Sequence, residues 1–121
     1  FPPMFCLNDG IRFFLCPGKT DMRKGMVTLS GVVRNYMGGN PVSGNCFIFI
    51  NGRHNLMKLL HYEPGGMVMY MKRLEKGTYR MPRYDEKTHS YSMKWSDLVM
   101  MVEGIKEDAN GRKERLILLE K

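Results

Sequence analysis

Residues 46–74 read CFIFINGRHNLMKLLHYEPGGMVMYMKRL, and they predict the centre of the fold. The segment from Cys46 to Ile50 is aromatic and β-branched, which favours a strand. Asn51-Gly52 predicts a type I′ hairpin turn, because both residues tolerate a positive φ, and a return strand should run from about Asn55 to Tyr62. A turn at Pro64-Gly65-Gly66 and a strand from Met67 to Leu74 then complete a meander of three antiparallel strands.

The meander carries four cations, which we expect at its edge or on its open face: Arg53, Lys58, Lys72 and Arg73. Successive side chains of a strand point to opposite faces. Lys72 should therefore share one face with Val68 and Tyr70, and Arg73 should share the other with Met67, Met69 and Met71. The two cations need not point the same way, unless the strand twists or ends between them.

A strand and a helix are predicted before the meander. Ile11 to Cys16 is a short apolar run ended by Pro17-Gly18. A helix should follow from about Asp21 to Met37, because apolar residues recur there at steps of three and four. Thr20 is a suitable N-cap, and Asp21 would place a negative charge at the positive end of the helix dipole.

Glycines mark the end and the interior of this helix. Gly38-Gly39 predicts its end. Gly25 and Gly31 lie inside the predicted helix, where each costs about 1 kcal/mol relative to Ala. Close contact with a sheet would explain both residues.

The chain after the meander is more polar. Residues 77–92 predict turns and interleave Tyr79, Tyr84 and Tyr91 with Arg80, Arg83 and Lys87. Ser96 is a suitable N-cap for a second, short helix that ends near Gly104. Asp108 to Lys113 predicts an exposed turn, and the apolar run Leu116 to Leu119 fits a last strand or a helix equally well.

Length and composition predict one globular domain over residues 1–121, with 43% hydrophobic residues. Phe1-Pro2-Pro3 precede Met4, which could be a natural start, or the chain could begin mid-sequence; the predicted fold does not depend on these three residues. No apolar run approaches the roughly 20 residues that span a bilayer, and no secretion signal begins the chain, so we expect a soluble cytoplasmic protein without membrane contact. Cys6, Cys16 and Cys46 fit neither a disulfide framework nor a zinc site.

Positive charge is concentrated in the front part of the chain. Residues 1–84 carry 12 Lys and Arg against four acids, whereas residues 85–121 carry seven against eight. Such a polarised field attracts polyanions and speeds their encounter with the protein. Lys and Arg interleaved with aromatic rings favour nucleic acid, because cations neutralise phosphates and flat rings stack on unpaired bases. The competing interpretation is that the cations keep exposed strands soluble while Tyr and Phe fill the core.

Residues that could catalyse a reaction are sparse. A two-metal nuclease needs several converging carboxylates, but the basic part offers only Asp9, Asp21, Glu63 and Glu75. The histidines His54, His61 and His89 lack metal-ligand spacing, and no phosphate-cradling glycine-rich loop is present. We therefore predict no catalytic residue, no metal site and no cofactor, and expect that the chain is not an enzyme.

Several segments together carry a family resemblance. They are Thr20-Asp21-Met22-Arg23-Lys24, Pro41 with Ser43-Gly44, Phe47, Phe49, Asn51 and Arg53, Lys58-Leu59-Leu60, and Lys72-Arg73-Leu74-Glu75-Lys76-Gly77 with Pro82. The chain resembles, from about Met4 to Ile105, the small accessory protein of bacterial insertion sequence 66 elements, the product of their second open reading frame. That protein is often labelled TnpB, a label shared with an unrelated RNA-guided nuclease that this chain does not resemble.

The resemblance implies a role in transposition beside a separate, larger transposase that carries the acidic catalytic residues. It implies no catalytic residue for this chain. The sequence departs from the family pattern where relatives tend to have a Trp-Asp-Gly-like segment and this chain has Tyr62-Glu63-Pro64-Gly65. Residues 106–121 extend past the usual end of the family and form a C-terminal extension.

We predict an α+β fold, in which an antiparallel sheet carries one main helix on a face and a short C-terminal helix. The leading functional hypothesis is a non-catalytic accessory factor of transposition that binds DNA through a basic surface. The residues chosen from charge and motif position are Arg23, Lys24, Arg53, Lys58, Lys72, Arg73 and Lys76. The alternative is a module that docks on the transposase without direct DNA contact, and a small nuclease is a third possibility.

Overall fold

The computed structural model describes residues 10–85 and 87–103, together with the backbone of residues 106–107 and 113–114. Its helices are α1 (Met26–Asn35) and α2 (Trp95–Glu103). Its strands are β1 (Phe13–Leu15), β2 (Cys46–Ile50), β3 (Leu56–Glu63), β4 (Gly66–Arg73), β5 (Tyr91–Met93), β6 (Lys106–Glu107) and β7 (Lys113–Glu114). The predicted α+β class is confirmed, with one main helix and a short C-terminal one.

Five strands form a mixed sheet in the order β4-β3-β2-β1-β5. The predicted meander β2-β3-β4 is antiparallel, and its register pairs Ile50 with Met57 and Leu60 with Met69. Strand β1 lies parallel to β2, because α1 carries the chain back across the sheet between them, and β5 pairs with β1 antiparallel. The carboxyl ends of β1, β2 and β4 therefore lie at one end of the sheet.

Apolar side chains cover both faces of this sheet. One cluster lies under α2 and includes Ile48, Leu59 and Leu98, and the other lies under α1 and includes Leu29, Phe47 and Leu60. Neighbouring residues of β2 and β3 enter opposite clusters, as the two-residue period of a strand requires. Cys46 to Ile50 is buried throughout, since both faces of its strand are covered.

Helix α1 begins five residues later than predicted, and the prediction that Thr20 caps it is wrong. Gly25 occupies the N-cap position. Asp21 does not sit on the helix dipole, because its carboxylate instead accepts hydrogen bonds from the backbone and side chain of Arg23. Asp side chains commonly form such local hydrogen bonds with the backbone, which compete with helix formation. The turn at Asp21 therefore delays the start of α1.

The C-terminal end of α1 lies close to Gly38-Gly39, as predicted, but the prediction that Gly25 lies inside the helix is wrong, because Gly25 is the N-cap. Gly38 adopts a φ of +72° just after the helix, and the Gly39 N–H donates to Val33 O at 2.9 Å. A Cβ on Gly25 would meet no atom within 4 Å, and one on Gly31 would meet only an Asn35 side-chain atom at 4.0 Å. Close contact with the sheet therefore explains neither residue.

The hairpin between β2 and β3 has the predicted position but a different turn. His54 adopts the left-handed conformation, with a φ of 58°, and its N–H donates to Asn51 O at 3.1 Å. The Asn51 side chain also accepts the N–H groups of Asn55 and Leu56 at 3.0 Å each. A five-residue loop around Asn51 therefore replaces the predicted type I′ turn at Asn51-Gly52.

The second hairpin and the later elements shift by smaller amounts. Pro64-Gly65 connects β3 to β4, with Gly65 at a φ of +94° as a turn with this sequence requires. Strand β5 begins at Tyr91, inside the stretch 77–92 that the sequence predicted as turns, and extends one residue past it to Met93. Helix α2 begins at Trp95, and the prediction of Ser96 as its N-cap is wrong, because the Asp97 carboxylate accepts the Lys94 N–H at 3.1 Å and closes the first turn.

Part of the sequence-based prediction falls beyond what the structure describes. Strands β6 and β7 pair antiparallel. The intervening residues 108–112 of the predicted turn, and the apolar run Leu116 to Leu119, lie outside the described residues. Among the residues that are described, neither helix has the length and apolarity that crossing a bilayer requires.

Candidate nucleic-acid interface

Three loops meet at the end of the sheet where β1, β2 and β4 finish. The Thr20 N–H donates to Ile50 O at 2.9 Å, which joins the loop after β1 to the end of β2. The Leu74 N–H donates to Asn55 O at 2.8 Å, which joins the end of β4 to the β2–β3 loop. Backbone hydrogen bonds thus fix the three loops relative to one another.

The segment after β4 is anchored by a buried tyrosine. The Tyr79 hydroxyl donates to Lys72 O at 2.7 Å, and the Tyr79 N–H donates to His54 O at 2.6 Å. Burial raises the pKa of Tyr79 to about 12, with a smaller contribution from Tyr70. Tyr79 therefore holds residues 74–79 against the β2–β3 loop, and Lys76 lies within the segment held in this way.

These loops carry a concentrated positive charge. Residues 16–25, 51–55 and 72–79 contain seven cations and two acids, Asp21 and Glu75. We call the seven cations the basic end: Lys19, Arg23, Lys24, Arg53, Lys72, Arg73 and Lys76. Six of them were chosen from the sequence. Lys19 was missed, because nothing in the sequence shows that its loop lies beside the β2–β3 loop; in the structure a Cβ placed on Gly52 would be 3.5 Å from Lys19 Cδ.

The cations of β4 divide between the two faces of the sheet, as strand alternation predicts. Lys72 pairs with Met57, which belongs to the cluster under α2. Arg73 lies on the other face, the one on which Met69 packs against the cluster under α1. The basic end is therefore a rim around the end of the sheet and not a patch on one face.

Lys58 is the one predicted site residue that the structure places away from the exposed surface. It is 6% exposed, and its Nζ donates to Met22 O at 2.7 Å and to Lys24 O at 2.8 Å. The prediction that Lys58 lies at the edge or on the open face of the meander is therefore wrong. It lies on the α1 face of β3, where the chain before α1 covers it.

Arg23 is exposed but already bound to an acid. Its guanidinium forms a bidentate pair with the Asp21 carboxylate, in which Nη2 is 2.7 Å from Oδ2 and Nε is 3.0 Å from Oδ1. Hydrogen bonds from the Arg23 side chain and then its backbone hold the pKa of Asp21 far below its ordinary value. Arg23 and Asp21 cancel each other's charge, so the remaining cations of the basic end face one acid, Glu75.

The titratable residues at the opposite end of the sheet form an internal pair. His61 and Glu63 are both buried, with His61 Nδ1 3.7 Å from Glu63 Oε2 and Nε2 3.1 Å from Gly44 O. Over the part of the chain that the structure describes, no three His, Cys, Asp or Glu side chains converge as metal ligands would. Neither feature adds a reactive group to the basic end.

Comparisons with known proteins give the family. An uncharacterized protein, y4hO, of Sinorhizobium fredii is 32% identical over 75 residues, and a second, y4jC, of the same organism is 27% identical over 75 residues. The aligned stretch covers 62% of this chain and 65% and 64% of the two relatives, so it spans a little under two thirds of each. No solved structure matches the chain. The family model described as IS66 Orf2 like protein matches residues 11–112, most of the chain and past the Ile105 where the motif resemblance ends, and the chain therefore belongs to the IS66 Orf2-like family.

Proposed function

We propose that this protein is a non-catalytic accessory factor of insertion-sequence transposition that binds DNA through the basic end. The observation that carries the proposal is the meeting of three loops that bring seven cations and only two acids to one end of the sheet. Cations clustered in this way neutralise backbone phosphates and release condensed counterions, which supplies most of the free energy of non-specific DNA binding.

The form of the basic end favours recognition of the DNA backbone. Its cations are presented by loops and a strand end, and they surround the end of the sheet. Arg and Lys on such a rim contact phosphates and position a duplex, but they do not insert a helix into the major groove to read base edges. We expect weak sequence preference from this surface alone.

Family membership supports the biological setting of the proposal. A small protein without a carboxylate cluster among its described residues suits a role beside a separate catalytic protein. We propose that the element-encoded transposase is that protein and that DNA lies between or beside the two.

The test is a salt titration of binding by fluorescence anisotropy, using an element-end duplex and a random duplex of equal length. The variant Lys72→Gln/Arg73→Gln removes two cations of the basic end. We expect it to weaken binding to both duplexes and to reduce the slope of log K against log salt by about two, since each phosphate contact contributes about 0.9. The unmodified protein should lose affinity steeply as salt rises.

A matched control removes two exposed cations from the other end of the sheet. Arg12→Gln/Lys94→Gln changes the net charge equally, and Arg12 and Lys94 precede β1 and follow β5. We expect its salt slope to match that of the unmodified protein. Equal losses in both double variants, or binding insensitive to salt, would sink the assignment to the basic end.

A second candidate function is docking on the transposase without DNA contact, and exposed apolar side chains favour it. Val27 is 84% exposed and Met71 is 59% exposed, and Met71 lies on the same face of β4 as the exposed Arg73. Apolar groups beside cations suit an acidic protein surface. Capture of the purified transposase that survives nuclease treatment and is lost in Val27→Ser/Met71→Ser would favour docking; capture abolished by nuclease would count against it.

A further inference from the structure

A crevice of about 440 Å³ lies beside the basic end, between the loop after β1 and one side of α1. Cys16, Lys19 and Thr20 line it from the loop, and Val32 and Tyr36 line it from the helix. Lys24, which precedes the helix, completes the wall. No acidic residue is among the described residues that line it.

The two lysines give the lining of the crevice a positive charge. Lys19 is exposed and Lys24 is half-buried, and neither ammonium forms an ion pair with a carboxylate in the described ranges. The nearest acid in the loop, Asp21, is held by Arg23. Burial raises the pKa of the Cys16 thiol, while the Lys24 charge and the Thr20 side chain act the other way.

An aromatic ring forms the opposite wall. Tyr36 is 43% exposed, and its ring is stacked on the His89 ring with centroids 4.3 Å apart and planes 14° apart. The helix end does not bury this ring, because Met37 fills the core position instead. A flat, partly exposed ring beside two lysines is the arrangement with which proteins hold an unpaired base and its phosphates.

The loop is not a nucleoside-triphosphate cradle. The Gly18 N–H donates to the Tyr84 hydroxyl at 2.9 Å and the Thr20 N–H donates to Ile50 O, so these two amides are not available to phosphate. Helix α1 begins only at Met26, six residues after Thr20, so its N-terminus does not follow the loop directly. The crevice therefore offers side-chain cations and a ring, which suit a nucleotide within a strand.

We propose that this crevice binds one unpaired nucleotide of single-stranded DNA, with the base stacked on Tyr36 and the adjoining phosphates held by Lys19 and Lys24. The proposal rests on DNA binding by the basic end and adds the form of DNA preferred. The basic end alone accepts any phosphate backbone, whereas the crevice favours a strand whose base can leave the stack.

The experiment measures binding of three labelled probes at one salt concentration: a single strand, the same strand with abasic sites, and a duplex of equal length. Replacing a stacked base contact costs on the order of 5- to 100-fold in affinity. We expect Tyr36→Ala to weaken single-strand binding by that factor, Tyr36→Phe to retain it, and both to leave duplex binding within about twofold. The abasic strand should bind the unmodified protein as weakly as the intact strand binds Tyr36→Ala.

A matched charge series separates the crevice from the rest of the basic end. Lys19→Gln/Lys24→Gln should weaken single-strand binding more than duplex binding, whereas Lys72→Gln/Arg73→Gln, outside the crevice, should weaken both alike. Duplex binding that persists while the abasic strand binds as tightly as the intact strand overturns the crevice proposal and leaves the proposed function standing. Absence of binding to every probe overturns both. Displacement of the strand by an equal nucleotide concentration of free dAMP would assign the crevice to mononucleotides and overturn the strand assignment.

Discussion

Lys58 was predicted to lie on the surface and is buried in the structure. In the sequence it is a cation on a strand, and alternation alone leaves it free to face solvent. In the structure its stem lies on the α1 face of β3, and its ammonium donates to two carbonyls of the chain before α1. Met22 and Lys24 precede α1, so a side chain and not the helix supplies the hydrogen-bond donor for these two carbonyls.

Replacing Lys58 by Met should destabilise the protein by about 1–3 kcal/mol, because two partly buried carbonyls would lose their charged donor. The change also removes the cost of burying an ammonium, but the stem packing is retained, so the loss of hydrogen bonds decides the sign. Urea denaturation of the purified variant measures the free energy of unfolding.

The exposed Lys94→Met serves as the control and should lie within about 0.5 kcal/mol of the unmodified protein. Equal stability of Lys58→Met and the unmodified protein would show that the two hydrogen bonds only offset the cost of burying the ammonium.

Residue alternation on β4, by contrast, was predictable. The opposite faces of Lys72 and Arg73 follow from the period of a strand once its boundaries are known to within a residue, and the register confirms them. The burial of Lys58 was not predictable, because it depends on the path of residues 22–24, which are distant from it in sequence.

At the scale of elements, the strands of the meander and the turn at Pro64-Gly65 were predicted closely, whereas the start of α1 and the loop after β2 were not. The strands lie within one residue of their predicted bounds, since aromatic and β-branched runs between turn residues are strong local signals. The predicted start of α1 was wrong because the Asp21 carboxylate binds Arg23 and does not interact with a helix N-terminus. The turn type predicted after β2 was wrong because the Asn51 side chain accepts the N–H groups of Asn55 and Leu56. The Asn-Gly pattern considers only two residues and does not include these contacts.

The segment that presents Lys76 should depend on the hydroxyl of Tyr79. We expect Tyr79→Phe to lower the free energy of unfolding by about 0.5–1.5 kcal/mol and to speed hydrogen exchange at the Leu74 and Tyr79 amides, because Lys72 O loses its donor. Hydrogen exchange followed by NMR and urea denaturation check the two parts. Tyr62→Phe, at a ring that is 37% exposed, is the control.

The same tyrosine predicts a pH dependence. Its folded pKa of about 12 lies above the ordinary 10.0, so the buried neutral form contributes stability below pH 10 that is lost as the pH rises toward 12. Tyr79→Phe should lack this part of the alkaline loss. Unchanged amide exchange together with an unchanged alkaline profile would mean that the hydroxyl does not anchor the segment.

For the whole molecule, one sheet with apolar clusters on both faces predicts a single cooperative unit. Strands β2 and β3 contribute side chains to both clusters. Unfolding of one cluster would therefore disrupt the strands on which the other cluster is built. Calorimetry should show one transition in which the calorimetric and van't Hoff enthalpies agree. Two resolved transitions would mean that the α1 and α2 faces unfold separately.

The sequence by itself determined the α+β class, the three-stranded meander, the opposite faces of Lys72 and Arg73, and the family, because these depend on local periodicity and on motifs. Only the tertiary structure decided that β1 lies parallel to β2 in the centre of the sheet, that Lys58 is internal, and that Lys19 and Tyr36 stand beside the same crevice. These facts arise from hydrogen bonds and packing between segments far apart in the chain, which no local pattern encodes.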